Sequence, residues 1–373
     1  MGLKTVAPPA RGALRSFGPN DRNFNDMNQI PLTLQTTYAD LLDKLQDAEI
    51  VARTREPGSF FSRKIKERVY WYRQYHGTDG RRHKSYVGPE TPDLLARIDG
   101  HKEMVAAEEA RRSLVRSLTR SRALPAPPPA VGQVLAALAD AGVFRLRAVL
   151  VGTVAYQAYA GMLGVRLPGA TTMTEDIDIA QFRSISLAIA EDEQLPPMLD
   201  TLRQVDRSFE PIPRLDHAAQ PDAYRTRGGS NLKVEFLTPM RGAPRSGTSA
   251  LHALNTAGQL LRFLDYLIYQ ERKAAILYGP GILVNVPDPA RFAWHKLILS
   301  QRREDRQKVS KDIMQAQHLM QVLVRDYPGD LKDMWTELEG DERKKWQDLA
   351  RQGLDRMPSA SVRESVRNLI GTP

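Results

Sequence analysis

The stretch Thr174-Glu175-Asp176-Ile177-Asp178-Ile179-Ala180 alternates acidic and apolar side chains. Successive side chains of a β-strand point to opposite faces, so the spacing predicts a strand whose isoleucines enter a core. Asp176 and Asp178 then project together from the other face. Two neighbouring carboxylates repel each other unless a cation lies between them, and hard cations such as Mg²⁺ (or Mn²⁺) prefer oxygen ligands. The stretch therefore predicts a metal site. The alternative is a pair of solvated aspartates on an exposed strand face.

A second stretch, Lys233-Val234-Glu235-Phe236-Leu237, repeats this alternation. Its apolar residues are predicted to face inward, with Glu235 on the same face as Lys233. A third carboxylate beside the two aspartates would complete a two-metal site. Such a site activates an attacking oxygen and neutralises charge on a transferring phosphoryl or nucleotidyl group. The alternative is that Glu235 only forms an ion pair with Lys233.

Upstream of both stretches, the residues from Val149 to Thr153 predict a strand that enters a tight turn at a helix N-terminus. Gly152 would let the backbone approach a phosphate closely, and Thr153 adds a hydroxyl. The free N–H groups and the positive dipole end of the following helix favour anions. One Gly-Thr turn is common in proteins, so the interpretation depends on its combination with the three acidic residues.

Positive charge is concentrated in one part of the chain. The 373 residues carry a net charge of +9, and residues 51–122 alone hold 17 Lys or Arg against nine Asp or Glu. Aromatic residues alternate with basic ones there. Basic groups neutralise phosphates and aromatic faces stack on unpaired bases, which predicts RNA or DNA binding. The alternative is that the aromatics form the core of a small sheet. The candidate nucleic-acid contacts are Lys64, Lys66, Arg68, Tyr70, Tyr72, Arg73, Arg81, Arg82 and Lys84.

Several classes of protein are excluded by composition and motif. The chain has no Cys, which excludes disulfides, thiolate zinc sites and Cys nucleophiles. Neither a Gly-x-Ser-x-Gly motif nor a Walker A motif occurs, and the seven His show no metal-ligand spacing. The uncharged run 148–165 contains three Gly, which favours a strand followed by a helix over a membrane span. We expect a cytoplasmic protein without a membrane partner.

The pattern along the chain predicts five parts. Proline punctuation, turn signals and hydrophobic periodicity set their boundaries. They are a flexible tail (1–30), a basic N-terminal module with a small antiparallel sheet and a long helix (31–122), a Pro-rich linker (123–130), an α/β domain that holds the acidic motifs (131–288), and a C-terminal helical domain (289–373).

At these motifs the chain resembles the polymerase-β-like nucleotidyltransferase superfamily. In that superfamily a strand, a Gly-Ser turn and a helix precede Asp-x-Asp on the next strand, and a third acid follows later. The resemblance covers residues 147–323 and is closer still to the bacterial branch that includes abortive-infection and toxin-type nucleotidyltransferases. Two features differ from the pattern: Thr153 replaces the commonest Ser, and the loop 164–172 is inserted. The helical motifs of that branch correspond here to Lys296-Leu297, Arg302-Arg303 and Lys311-Asp312.

The resemblance implies an α/β (α+β) nucleotidyltransferase fold with a mixed sheet, and Mg²⁺-dependent transfer from an NTP to an acceptor. That acceptor would be RNA, such as a tRNA end, in a toxin or defence protein with a cognate antitoxin. Asp176, Asp178 and Glu235 would be catalytic and hold the metals, with Glu235 helping to deprotonate the acceptor hydroxyl. The implied nucleotide contacts are Gly152, Thr153, Lys296 and Arg166.

Each of these implied roles has an alternative. Lys296 and Arg166 could be solvated side chains, and Lys311-Asp312 could be a structural pair between domains. The same site could instead modify a protein hydroxyl. In another class of function, the fold would be catalytically inactive and would serve nucleic-acid binding or regulation.

Overall fold

The computed structural model describes residues 29–51, 58–76, 81–120, 122–170, 174–189, 194–214, 220–228, 231–240, 242, 246–338 and 344–371. The tail predicted for residues 1–30 lies outside these ranges except for Gln29 and Ile30.

The basic segment forms a three-stranded antiparallel sheet with helices on either side in sequence. The middle strand pairs with both others, so Phe61 lies opposite Tyr72 and Tyr72 lies opposite Tyr86. Side-chain alternation therefore puts these three rings on one face. The elements are α1 (Leu32–Val51), β1 (Ser59–Ile65), β2 (Arg68–His76), β3 (Arg82–Pro89) and α2 (Pro92–Arg120).

The following residues build a mixed sheet that has seven strands within the described part of the chain. Its path is β4-β5-β8-β10-β9, with β7 pairing with β8 and with β6. The β5–β8 and β8–β10 pairs are parallel, whereas β4–β5 is antiparallel. This is the mixed α/β architecture that the sequence predicted. The strands are β4 (Val149–Val151), β5 (Asp176–Ala180), β6 (Phe209–Pro211), β7 (Ala223–Thr226), β8 (Lys233–Pro239), β9 (Thr248–Leu251) and β10 (Thr256–Leu261).

Helices lie among these strands, and a hairpin leads to a further group of helices. The helices among the strands are α3 (Pro129–Ala141), α4 (Gly152–Leu163), α5 (Arg183–Ala188), α6 (Met198–Val205) and α7 (Leu264–Ile268). The hairpin consists of β11 (Arg272–Ile276) and β12 (Ile282–Val286). It is followed by α8 (Pro289–Ser300), α9 (Arg306–Asp326), α10 (Pro328–Thr336), α11 (Lys344–Asp355) and α12 (Ala360–Ile370).

Helices α8 and α9 begin at aspartates that cap them. Asp288 accepts a hydrogen bond from the Ala290 N–H, and Asp305 accepts from the N–H groups of Gln307 and Lys308. Such caps satisfy backbone donors that have no partner inside the helix. Almost every residue of α8 is buried, because α9, α10 and α11 all pack around it. In the described part of the chain, none of the helices combines the length and the apolar character that crossing a membrane requires.

A single hydrophobic cluster joins the N-terminal helices to the mixed sheet. Tyr38 of α1 is buried in it, accepts a hydrogen bond from the Ala275 N–H at 3.0 Å and lies directly over Gly161. Ala123 and Leu124, from the proline-rich stretch, are buried in the same cluster. This packing does not decide the domain boundaries, which stay predictions.

Candidate active site

Neighbouring strands of the mixed sheet bring the acidic residues to one place. Asp178 of β5 lies opposite Val151 of β4 on one side and opposite Glu235 of β8 on the other. Ile177 is fully buried whereas Asp176 is exposed and Asp178 is half-buried, as the alternation predicts. Residues in register on neighbouring strands point to the same face, so Asp178 and Glu235 lie side by side on one face of the sheet, and Asp176 lies two residues along on that face. We call these three residues the acidic cluster.

The turn after β4 packs directly against one of these carboxylates. Gly152 has a φ of 70°, a left-handed backbone conformation that residues other than glycine rarely adopt. A Cβ atom on Gly152 would lie 2.3 Å from Asp178 Oδ2, far inside van der Waals contact. Glycine is therefore required here both by the backbone and by the carboxylate. The same turn begins α4, so the free N–H groups of the helix N-terminus lie beside the acidic cluster.

Asp178 is ionised at an energetic cost in this environment. Burial, followed by repulsion from Glu235 and Asp176, raises the pKa of Asp178 to about 6. The positive charges of Lys296 and Lys233 oppose that rise without cancelling it. Among the described residues, the Asp178 side chain has neither a hydrogen-bond donor nor an ion-pair partner. A cation bound to the cluster would remove this uncompensated repulsion.

Glu235 interacts with Asp178 as well as with Lys233. Its Oε1 lies 2.8 Å from Lys233 Nζ, which is the ion pair that the sequence offered as the alternative. It also lies opposite Asp178 in register and contributes to the raised pKa of that residue. The ion pair therefore does not remove Glu235 from the acidic cluster.

An ionic network formed by α8, α9 and the loop between them lies near the acidic cluster. Lys296 Nζ lies 2.7 Å from Asp312 Oδ1, and Arg303 Nη1 lies 3.0 Å from Asp312 Oδ2. Lys296 is only 7 % exposed and its ammonium lies 5.1 Å from the centre of the Phe292 ring. Lys296 is thus not a solvated lysine. Its charge reaches Asp178, whose pKa it lowers against the larger opposing effects.

Lys311 links α9 to the turn that begins α4. Its Nζ donates a hydrogen bond to Thr153 Oγ1 at 2.9 Å. Burial of the ammonium and the nearby Lys296 lower the pKa of Lys311, while Asp312 and Asp176 oppose that change. Sequence reasoning did not place Lys311 among the site residues. The Lys311-Asp312 dipeptide could have indicated this contact. Adjacent residues of a helix point about 100° apart, so their side chains contact different parts of the protein.

The remaining candidates lie apart from this cluster. Arg166 is exposed between α4 and β5, and among the described residues its side chain contacts none of the acidic ones. His295, next to Lys296, is buried, and burial lowers its pKa to about 3. The nucleic-acid candidates, from Lys64 to Lys84, lie on or beside the three-stranded sheet of β1, β2 and β3.

The side chains of the acidic cluster carry the oxygen ligands that a hard divalent cation prefers. Within the described ranges, no group of three or more His, Cys, Asp or Glu is already gathered as metal ligands would be. Asp176, Asp178 and Glu235 nevertheless offer only carboxylate oxygens, which Mg²⁺ and Mn²⁺ prefer. The unpartnered carboxylate of Asp178 and the absence of a Cβ on Gly152 fit a ligand at this position.

Comparisons with known proteins match two parts of the chain. A family model described as a nucleotidyltransferase matches residues 129–339, which is more than half of the chain and includes all three residues of the acidic cluster. A domain of unknown function (DUF6788) matches residues 31–97, which include the three-stranded sheet. No curated protein and no solved structure matches the chain.

Proposed function

The chain belongs to this nucleotidyltransferase family, and from that premise we propose that it is a metal-dependent enzyme that transfers a nucleotidyl group from an NTP to the end of an RNA. The main support for the proposal is the environment of Asp178. Asp178, with an unpartnered carboxylate and a pKa raised to about 6, lies against Gly152 at the start of α4 and opposite Glu235. This arrangement supports a divalent cation at the carboxylate and a phosphate at the N-terminus of α4.

The acidic residues divide the work at the reacting centre. Asp176 and Asp178 would hold the divalent cations, and Glu235 would complete one of these sites. A bound Mg²⁺ or Mn²⁺ neutralises charge on the transferring group and activates the attacking oxygen. Glu235 would also accept the proton of the acceptor hydroxyl, after exchanging its ion pair with Lys233 for a hydrogen bond from that hydroxyl.

The phosphates of the NTP would lie on the turn between β4 and α4. Gly152 gives the backbone close access, and the N–H groups at the start of α4 donate to phosphate oxygens. Lys311 donates a hydrogen bond to Thr153, and both side chains would turn to the phosphates when the NTP binds. Lys296 adds a fixed positive charge from α8. Arg166 is proposed as a further triphosphate contact because it is exposed and follows α4.

We further propose that the protein belongs to the bacterial abortive-infection and toxin-type branch, with a toxin or defence role and a cognate antitoxin as a partner. The support is the network in which Lys296, Arg303 and Asp312 meet, since these residues come from the three helical motifs of that branch. If so, expressing the wild-type chain without its antitoxin should arrest growth, and Asp178→Asn should not. Both NTP and RNA are available in the cytoplasm, where we propose that the protein acts.

The reaction is tested by incubating the whole chain with each α-labelled NTP in turn, Mg²⁺, and either total cellular RNA or total cellular protein. We expect label in RNA for one NTP, and none after chelation of the metal. Label in protein alone would overturn the RNA acceptor and favour modification of a protein hydroxyl. Binding of nucleic acid without transfer to any acceptor would favour the inactive, regulatory alternative.

A further inference from the structure

The three-stranded sheet of β1, β2 and β3 has two unlike faces. One face turns toward α2: the Phe60 ring lies edge-on to His101 at 5.0 Å, and Gly88 approaches Leu94. Trp71, on the same face, donates its Nε1–H to Glu90 at 3.0 Å. Arg73 and Lys64 of the predicted nucleic-acid set belong to this face by alternation. They are therefore not positioned to act with Tyr70 and Tyr72.

The opposite face, which we call the aromatic platform, consists of Phe61, Arg63, Tyr70, Tyr72, Lys84 and Tyr86. Its rings form a continuous series across the three strands. Phe61 stacks on Tyr72 at 5.5 Å, Tyr72 meets Tyr86 at 5.6 Å, and Tyr70 lies 6.3 Å from Tyr86. Phe61, Arg63 and Tyr86 were not among the residues predicted from the sequence.

Positive side chains lie among these rings rather than around them. The Arg63 guanidinium is 5.9 Å from the Phe61 ring and 6.0 Å from the Tyr72 ring. Lys84 Nζ is 5.8 Å from the Phe61 ring. Contacts of this kind hold a cation over an aromatic face while its N–H donors stay available. Among the described residues, neither Arg63 nor Lys84 has a carboxylate partner.

The platform is open to solvent. Tyr86 is 57 % exposed, Arg63 and Lys84 are exposed, and Phe61 and Tyr72 are only half-buried. A row of exposed rings on a soluble domain marks a binding surface more often than a core. An acidic peptide would use the positive charges and leave the ring faces uncovered. A nucleic-acid duplex keeps its base faces inside its own stack, so it cannot use the rings either.

We propose that the aromatic platform binds single-stranded RNA, with unpaired bases stacked on Tyr70, Tyr72 and Tyr86 and with Arg63 and Lys84 at the phosphates. Each ring offers a stacking face that accepts any base, and each cation a phosphate contact, so binding would show little sequence preference. The inference rests on the RNA acceptor of the proposed function and assigns the surface that holds it.

Binding is measured on the full-length chain by fluorescence anisotropy with an unstructured 12-nucleotide RNA, without NTP and with metal chelated. Tyr86→Leu keeps the apolar volume and removes the ring, so the dissociation constant should rise at least ~5-fold, the lower bound for one stacked base. Tyr86→Phe should bind as wild type. Arg63→Gln should weaken binding and reduce the salt dependence by about one phosphate contact, whereas Lys102→Gln on α2 should change neither.

The proposal is overturned if Tyr86→Leu binds RNA like the wild type, or if a duplex of the same length competes as well as the single strand. It is also overturned if single-stranded DNA binds and RNA does not. Asp178→Asn is measured beside these variants. Loss of transfer in Asp178→Asn with normal binding by Tyr86→Leu would leave the active site in place and remove only the platform. Normal transfer by Asp178→Asn with weak binding by Tyr86→Leu would do the reverse.

Discussion

At the scale of single residues, Asp178 and Gly152 depend on each other. The alternation of Asp176, Ile177 and Asp178 was readable from the sequence, because period 2 assigns each side chain to a face. The contact between Gly152 and Asp178 was not, because it depends on the antiparallel pairing of β4 with β5. Nor was the bond from Lys311 to Thr153, which joins residues 158 positions apart.

Gly152→Ala tests that contact. The new Cβ would lie 2.3 Å from Asp178 Oδ2, so the carboxylate or the turn must move and transfer should fall by at least ~10-fold. The matched control is Gly371→Ala, where φ is 68° but no atom lies within 4 Å. Both variants should lose about 1–2 kcal/mol of stability to backbone strain, and only Gly152→Ala should lose more. Equal losses of unfolding free energy in the two variants, measured by urea titration, would contradict the contact.

Asp178→Asn should stabilise the metal-free protein in a defined pH range. Folding raises the pKa of Asp178 from 3.8 to about 6, so the unfolded chain releases this proton at lower pH than the folded protein. The wild type therefore loses stability as pH rises from about 4 to 6, and the neutral Asn does not. The melting temperature of Asp178→Asn should exceed that of the wild type above pH 6 and match it below pH 4.

The comparison is made in a chelator by calorimetry, with Asp43→Asn at an exposed position of α1 as the control. A lower melting temperature for Asp178→Asn at pH 7 would contradict this expectation, because the ionised carboxylate would then stabilise the fold.

At the scale of elements, α8 and α9 supply positive charge near the acidic cluster of the candidate site. Helix α8 is buried on nearly all sides, so its lysine must be neutralised from within the protein. Asp312 of α9 does this and is itself only 1 % exposed. The sequence pattern predicted helices here, but a uniformly buried helix leaves no polar face from which its orientation could be read. The short strands β7 and β9, each of four residues, were equally hard to read from their sequences.

Asp312→Asn should be strongly destabilising, because it leaves Lys296 buried without a negative partner. The expected loss is about 3 kcal/mol, the usual cost of breaking a buried ion pair from one side. Asp348→Asn is the matched control, since Asp348 pairs with Arg351 at 3.3 Å on the surface and is 54 % exposed. It should lose less than ~1 kcal/mol. If chemical denaturation gives similar losses for both variants, the buried network does not stabilise the α8–α9 pair.

At the scale of the whole molecule, α1 connects the basic segment to the mixed sheet. The Tyr38 hydroxyl accepts from the Ala275 N–H at 3.0 Å, and the Glu49 Oε2 lies 3.0 Å from Lys273 Nζ. Leu41 and Leu45 approach Gly281 of the turn between β11 and β12. These long-range contacts could not be predicted from the sequence, because α1 and β11 are more than 200 residues apart.

Tyr38→Phe should weaken this connection. It leaves the buried Ala275 N–H without its acceptor, which costs about 1–3 kcal/mol. Tyr86→Phe, at an exposed position, should cost close to nothing. Equilibrium unfolding compares the two, and hydrogen exchange at the Ala275 amide reports the same bond directly. An unchanged exchange rate in Tyr38→Phe would contradict the role given to this hydroxyl.

If Asp176 and Asp178 form the proposed reacting centre of this nucleotidyltransferase, single-turnover transfer of a nucleotidyl group must depend on both carboxylates. The full-length wild type, Asp176→Asn, Asp178→Asn and the control Asp333→Asn are each mixed in excess with one α-labelled NTP, Mg²⁺ and cellular RNA. Circular dichroism first establishes that all four are folded. We expect label transfer by the wild type and Asp333→Asn, and a loss of at least ~100-fold in both site variants, the scale expected when a main source of transition-state stabilisation is removed. Transfer at the wild-type rate by Asp176→Asn or Asp178→Asn would contradict the assignment of that residue to the reacting centre.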